Sequence, residues 1–236
     1  MHTQLAGDHL YVAVDILILT VRSGRLNLLL SRRANTPYEE HWALPGRFIG
    51  QDESAETTVE HLLEEMLPIR QAYMEQLYTF TDVNRDPRGR VISVAYLVIV
   101  PWSQLEALMD WMDLPFLCYE VSMDSGGLTL TDESGGMLIP GDLAFDHGRI
   151  IEAGIRRLRG KIDYTDIGFR FLEDPEAFSL SELQTVFEAV LGESVDSSNF
   201  RRGILARYEK TGRLTQTDQA EKKGRGRPAA LYRMDL

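Results

Sequence analysis

The chain is poor in cysteine. Cys118 is the single one among 236 residues. A lone thiol excludes an intramolecular disulfide framework and a thiolate zinc site, and it suits a reducing compartment. Long apolar runs are also missing. The most apolar stretch, VISVAYLVIV (91–100), is half of what a bilayer-spanning helix needs. The opening MHTQLAGDHLYVAVD has no basic stretch followed by an apolar one, so no secretory signal is expected. These absences predict a cytoplasmic protein with no membrane partner. Positive charge is scarce overall, with a formal net charge of −11, so the chain as a whole has no attraction for polyanions.

Apolar residues make up 44% of the chain, enough for true cores. The charge is unevenly placed. Residues 149–236 hold 16 Lys and Arg against 14 Asp and Glu, whereas 1–148 hold 9 against 22. Within 197–236 the count is 10 basic to 4 acidic. An acidic front with a basic end is the footprint of a nucleic-acid-binding appendage, or of a merely solvated basic surface.

The pattern along the chain separates these readings. LYVAVDILILTV (10–21) and RLNLLLSR (25–32), joined by Ser23-Gly24, predict a β-hairpin. In 53–67 the residues Val59, Leu62, Leu63, Met66 and Leu67 recur at helical spacing, with glutamates on the other side, and Pro68 ends the helix. Strands are expected at YTFTDV and VISVAYLVIV, a helix at 103–111 and a hairpin within 116–131. Then the texture changes. An amphipathic helix is expected over 146–161. FSLSELQTVFEAVLG (178–192) follows as a helix with a serine cap and Glu182 three residues on. A second helix is expected over 196–212, and two short strands around a basic glycine-rich loop over 214–234. Helix, turn, helix, hairpin is the order of a winged helix-turn-helix. The boundary is expected at 148/149.

HWALPGRFIGQDESAETTVEHLLEEMLPI resembles the signature of Nudix hydrolases, G-x5-E-x7-R-E-U-x-E-E-x-G-U, whose helix glutamates hold Mg²⁺ against a diphosphate. Carboxylates three or four apart share one helix face and suit that hard cation. Anchored on Trp42-Ala43-Leu44-Pro45-Gly46, the motif keeps Glu53 and Glu65. It puts Arg47 for glycine, His61 for arginine, Leu62 and Met66 for glutamates, and Pro68 for the final glycine. A shift by one residue rescues Glu64-Glu65 but breaks other positions. Glu60, Glu64 and Glu65 could form a metal site or simply the solvated side of an amphipathic helix. The resemblance thus implies a retained fold without catalysis, metal or cofactor. Arg47 would put positive charge at the vacated metal position. Arg33, Arg85, Arg88 and Arg90 lie beside strands, and guanidinium suits bidentate phosphate recognition. Trp42 and Tyr38 could stack on a base, although Trp42 in W-A-L-P-G equally suits packing. His147 in F-D-H suits a cap or hinge contact.

In the back half, FSLSELQTVFEAVLG, NFRRGIL and GRGRPAALYR resemble the winged helix of NrtR-type regulators, Nudix-related repressors of NAD-metabolism genes with sister groups controlling sugar use. The order WALPG, DPRGRVISVAY, AFDH, NFRR, GRPA-LYR carries the resemblance over most of the chain. It implies a Nudix-like α/β/α sandwich with a mixed sheet, followed by a small α+β winged helix-turn-helix. It also implies a homodimer, double-stranded operator DNA, and an effector such as ADP-ribose or a related sugar phosphate. A glycine-rich insertion at 113–143 departs from the pattern. The start of a recognition helix meets base edges, which here points to Ser197, Ser198, Asn199, Arg201 and Arg202. Lys222, Lys223, Arg225 and Arg227 fall on the expected wing, where phosphates or a minor groove are targets. Phe200, Ile204 and Leu205 are expected in the core. The competing readings are an active Nudix ADP-ribose pyrophosphatase with an accessory domain, and a basic protein-interaction module in the tail.

Overall fold

The structure is a computed structural model, and it describes residues 10–66, 72–111, 116–221 and 228–236. A long strand, β1 (Tyr11–Arg22), returns through a tight turn into β2 (Arg25–Arg32). Two short strands follow, β3 (Trp42–Ala43) and β4 (Gly46–Phe48), and then helix α1 (Ala55–Met66). Next come β5 (Tyr73–Phe80), β6 (Val91–Ile99) and helix α2 (Trp102–Trp111). The region anticipated as an insertion forms β7 (Phe116–Asp124), β8 (Gly127–Thr131) and β9 (Met137–Leu138). All nine strands join one sheet of order β5-β6-β1-β2-β7-β8-β9, with β3 on β2 and β4 on β1. The sheet is mixed: β1 and β6 are parallel and the other pairs antiparallel.

Side chains alternate across a strand, and β1 uses both of its faces. Val14, Ile16 and Ile18 pack with Val59, Leu62 and Leu63 of α1 and Leu105 of α2. Leu17 and Leu19 pack with Ile150, Ile151, Ile155 and Leu158 of α3 (His147–Ile162). The result is an α/β/α sandwich. The run VAVDILIL is buried on both faces, which is why it is nearly uninterrupted in apolar residues. Helix α3 lies very close to the sheet, because a Cβ on Gly154 would stand 2.2 Å from Leu17 Cδ2.

Beyond α3 come β10 (Phe178–Ser179), α4 (Leu180–Leu191), α5 (Ser197–Ile204), a π-helical turn (Leu205–Glu209), β11 (Leu214–Glu221) and β12 (Ala229–Met234). The three strands form a second sheet of order β10-β12-β11. Ser179 and Glu182 cap α4 reciprocally, an arrangement worth about 0.5–2 kcal/mol. Phe169, Phe178, Leu183 and Phe187 continue the core that α3 shares with the large sheet. Polar contacts reinforce the junction. Arg159 donates to the carbonyls of Met123 (2.7 Å) and Val190 (2.9 Å), Arg157 donates to that of Leu77 (3.2 Å), and Lys161 pairs with Glu75. No described helix is long and apolar enough to cross a membrane.

Candidate functional site

A cleft of about 260 Å³ opens on the α3 side of β1, between β4, the turn before β6 and the start of α3. Its floor is a buried polar network. Asp15 falls on the α3 face by strand alternation and is 7% exposed. Its carboxylate accepts from Ser93 Oγ (2.5 Å) and Arg85 Nη2 (3.1 Å), with His147 Nε2 at 3.5 Å. Burial alone would raise the Asp15 pKa. The facing His147 ring, the Ser93 hydroxyl and the Arg85 charge outweigh it and bring the group down to about 2. Arg85 also donates to both oxygens of Asp146, at 2.7 and 3.2 Å. The Leu44 N–H donates to His147 Nδ1 (2.8 Å), so that nitrogen carries no proton and His147 ties the LPG turn to α3. Gly46 completes the turn. A Cβ there would stand 2.5 Å from Asp15 Oδ1.

Four of the arginines singled out from the sequence, Arg33, Arg47, Arg85 and Arg88, line this cleft. Arg47 donates to Glu65 (3.1 and 3.2 Å) and to Glu53 (3.0 and 3.1 Å), so both ends of its fork hold carboxylates. Arg88 is paired with Asp86 at 2.6 Å. Arg33 donates to the carbonyls of Pro37 and Asn35. Trp42 and Arg90 do not line the cleft. The Trp42 ring meets Tyr119 edge-on at 5.5 Å, and Arg90 donates to the carbonyls of Thr81 and Asp82, closing the turn before β6. Tyr38 contacts Phe145 edge-on at 4.8 Å. Sequence reasoning missed Asp15, Asp86, Asp146, Phe48 and Phe145. The one available signal was Asp15, a charge set in an otherwise apolar strand.

The resemblance to Nudix hydrolases implies a divalent metal on the α1 glutamates, and the donor set here does not fit one. Leu62 faces the core. Glu53 is held by His61, Arg47 and Thr58, which bring its carboxyl down to about 2. The guanidinium of Arg47 stands between Glu53 and Glu65, so a cation of the chain itself already bridges the two retained ligands. Among the described residues no group of three or more His, Cys, Asp or Glu is placed to hold a metal.

The second candidate surface is the start of α5. Asp196 caps the helix by accepting from Asn199 N–H at 2.8 Å. Ser197, Ser198, Asn199, Arg201 and Arg202 are all exposed there. Arg202 donates to Asn199 Oδ1 (2.6 Å) and Arg201 to Tyr232 Oη (3.1 Å), so β12 steadies the helix's first basic residue. Ile204 is buried and Phe200 packs edge-on against Phe187, which fixes the helix on α4 with its polar side outward. Lys222, Lys223, Arg225 and Arg227 lie outside the described residues.

A model of the NrtR DNA-binding winged helix domain matches residues 168–234. Over 227 residues the chain is 31% identical to the ADPR responsive transcriptional repressor NtrR of Acinetobacter baylyi, covering 95% of this chain and 82% of that protein. It is also similar to the crystal structure of Shewanella oneidensis NrtR complexed with a 27mer DNA. There the identity is 31%, the TM-score 0.74, and the match covers 95% of this chain and 93% of that one. The ADP-ribose pyrophosphatase of Methanocaldococcus jannaschii is 30% identical over 133 residues, 56% of this chain and 68% of that enzyme.

Proposed function

This chain belongs to the NrtR family of Nudix-related transcriptional regulators, and on that footing we propose that it is an ADP-ribose-responsive repressor. The winged helix binds double-stranded operator DNA, and the cleft beside β1 receives a nucleotide-sugar effector. The observation that carries this reading is the exposed start of α5. It presents hydroxyl, amide and guanidinium groups suited to base edges, on a scaffold aligned along nearly its whole length with a DNA-bound relative. The finer assignments follow from it. The sensing part runs through α3, which packs on the large sheet and so carries it past the 148/149 boundary expected from the sequence, and the winged helix over 168–234 reads. Ser197, Ser198, Asn199, Arg201 and Arg202 address bases or adjoining phosphates. Lys222, Lys223, Arg225 and Arg227 address the backbone. The protein works in the cytoplasm as a homodimer whose two-fold axis matches two half-sites.

The same reading makes the front domain a receptor without hydrolase activity. Leu62 and Met66 replace family glutamates, and Arg47 pairs with the two that remain. A second reading, hydrolysis of ADP-ribose, is favoured by the identity to the archaeal pyrophosphatase. One titration separates the two. Duplexes selected by the protein from a random pool are compared with scrambled versions by fluorescence anisotropy, with and without ADP-ribose. Product release from ADP-ribose and Mg²⁺ is followed in parallel. A sequence preference that ADP-ribose shifts, without turnover, is the expected result. No preference together with turnover would make the chain an enzyme.

A further inference from the structure

The four arginines of the cleft are not equivalent, and a charge inventory separates them. Arg47 is bidentate to two glutamates, Arg85 is shared by Asp15 and Asp146, and Arg88 is held by Asp86. Arg33 bonds only carbonyl oxygens of its own loop. Among the described residues no carboxylate lies within ion-pair distance of it. A guanidinium always carries its charge, so among the described residues Arg33 is the cleft arginine that is in no ion pair. Burial and the neighbouring Arg88 charge lower its pKa, while the more distant Asp86 and Asp15 carboxylates act in the opposite direction without pairing with it.

A ring system stands next to it. The Arg33 guanidinium lies 4.7 Å from the centre of the Phe145 ring. The Arg88 guanidinium lies 5.3 Å from that ring and 5.2 Å from Phe48, so it is within cation–π reach of two aromatic side chains. Phe48 is 44% exposed, and Phe145 is held in the left-handed region at φ 54°, which a non-glycine residue adopts at a cost in free energy. A flat cation beside a ring holds a place that a flat base can also take, since both stack on a π face.

We propose that the cleft divides its ligand about Phe145, with Arg33 receiving the anionic group and the Phe48 and Phe145 rings receiving an aromatic base that displaces the Arg88 guanidinium. The inference rests on the cleft being the effector site. It narrows the ligand class to nucleotides, because a sugar phosphate without a base engages only half of the site.

The test is calorimetry on the full-length protein in EDTA, with ADP-ribose, ribose 5-phosphate and adenosine as probes. Arg33→Gln should weaken ADP-ribose and ribose 5-phosphate by about 10- to 100-fold, as expected for charge-assisted hydrogen bonds, and leave adenosine unchanged. Arg33→Lys should recover part of the loss, because charge is kept when the loop-tethering fork is gone. Phe145→Leu should weaken ADP-ribose and adenosine about 10-fold but spare ribose 5-phosphate, and Phe145→Tyr should retain affinity. The division is overturned if Arg33→Gln binds ADP-ribose like wild type, if Arg33→Lys loses as much as Arg33→Gln, or if Phe145→Leu weakens ribose 5-phosphate equally. If wild type binds none of the probes, the effector reading of the cleft falls with it. If wild type binds ADP-ribose and the variants match it, the division alone falls.

Discussion

Replacing Arg85 by Met tests the floor of the cleft most directly. The Arg85 side chain is 3% exposed and those of Asp15 and Asp146 are 10% and 9% exposed, so none of the three can turn to water when a partner is lost. Methionine fills a similar volume but strands the Asp146 carboxylate and leaves Asp15 with only Ser93 and His147. Breaking a buried ion pair from one side costs about 3–5 kcal/mol, which in a chain of this size lowers Tm by about 6–20 °C. The pH dependence gives a second, signed readout. In wild type the Asp15 pKa is lowered from 3.8 to about 2, which contributes about 2 kcal/mol above pH 4 and is lost as pH falls through about 2. In Arg85→Met the Asp15 carboxylate keeps His147 and Ser93 but loses the Arg85 charge, so its pKa lies above the wild-type value of about 2 and protonation costs the folded state less. The deficit relative to wild type is therefore largest at pH 7 and narrows as pH falls below about 4 towards 2. Urea denaturation at several pH values measures it. A loss below about 1 kcal/mol, or a deficit that does not change with pH, would refute the reasoning.

Three further outcomes are expected. Turnover of ADP-ribose with Mg²⁺ should stay far below ordinary enzyme rates of about 1–10³ s⁻¹, and Arg47→Gly alone should not restore it, because Leu62 and Met66 still lack donors; product release measures both. Arg202→Ala should cost roughly 1–3 kcal/mol on the selected operator and much less on random DNA, whereas Lys223→Ala should weaken both alike and reduce the salt slope by about one, as read by anisotropy across a salt series. Deleting 214–236 would confound that test, since Tyr232 and Met234 are buried, so neutralising the wing charges by Gln is the cleaner perturbation. Gly154→Val should destabilise by at least about 1–3 kcal/mol in thermal unfolding, because the new side chain meets Leu17 where α3 approaches the sheet.

Much of the fold was legible because it repeats at short range. Helices α1, α3 and α4 announced themselves by apolar spacing, and the Ser179–Glu182 box marked where α4 begins. The strand expected at YTFTDV runs instead over Tyr73–Phe80, since Asp82 Oδ1 accepts from Asn84 N–H and turns the chain there. Of Phe200, Ile204 and Leu205, only Ile204 is fully buried and the other two pack against the core. The cleft was half legible. Arginines beside strands suggested Arg33, Arg85 and Arg88, and the altered box position suggested Arg47, but what Arg47 and Arg85 touch depends on carboxylates of other elements. Asp15 and Asp146 meet at Arg85 only because β1, the turn before β6 and α3 converge. Local patterns carry no record of that convergence, nor of the packing that sends Trp42 to Tyr119.

Helix α3 ties its two ends together mechanically. It starts at the cleft, with Asp146 and His147 in the polar floor, and its last turns carry Arg159 and Lys161 against β7, α4 and β5. Sixteen helical residues span about 24 Å. A rod of that length tilted by about 5° displaces its far end by about 2 Å, comparable with the shifts that switch packed interfaces between discrete arrangements. Were an occupant of the cleft to favour one tilt of α3 and a duplex on α5 another, each would oppose the other by the same free energy. Occupancy at one end and grip at the other are then two readings of a single equilibrium, and the factor by which each alters the other's affinity is one number.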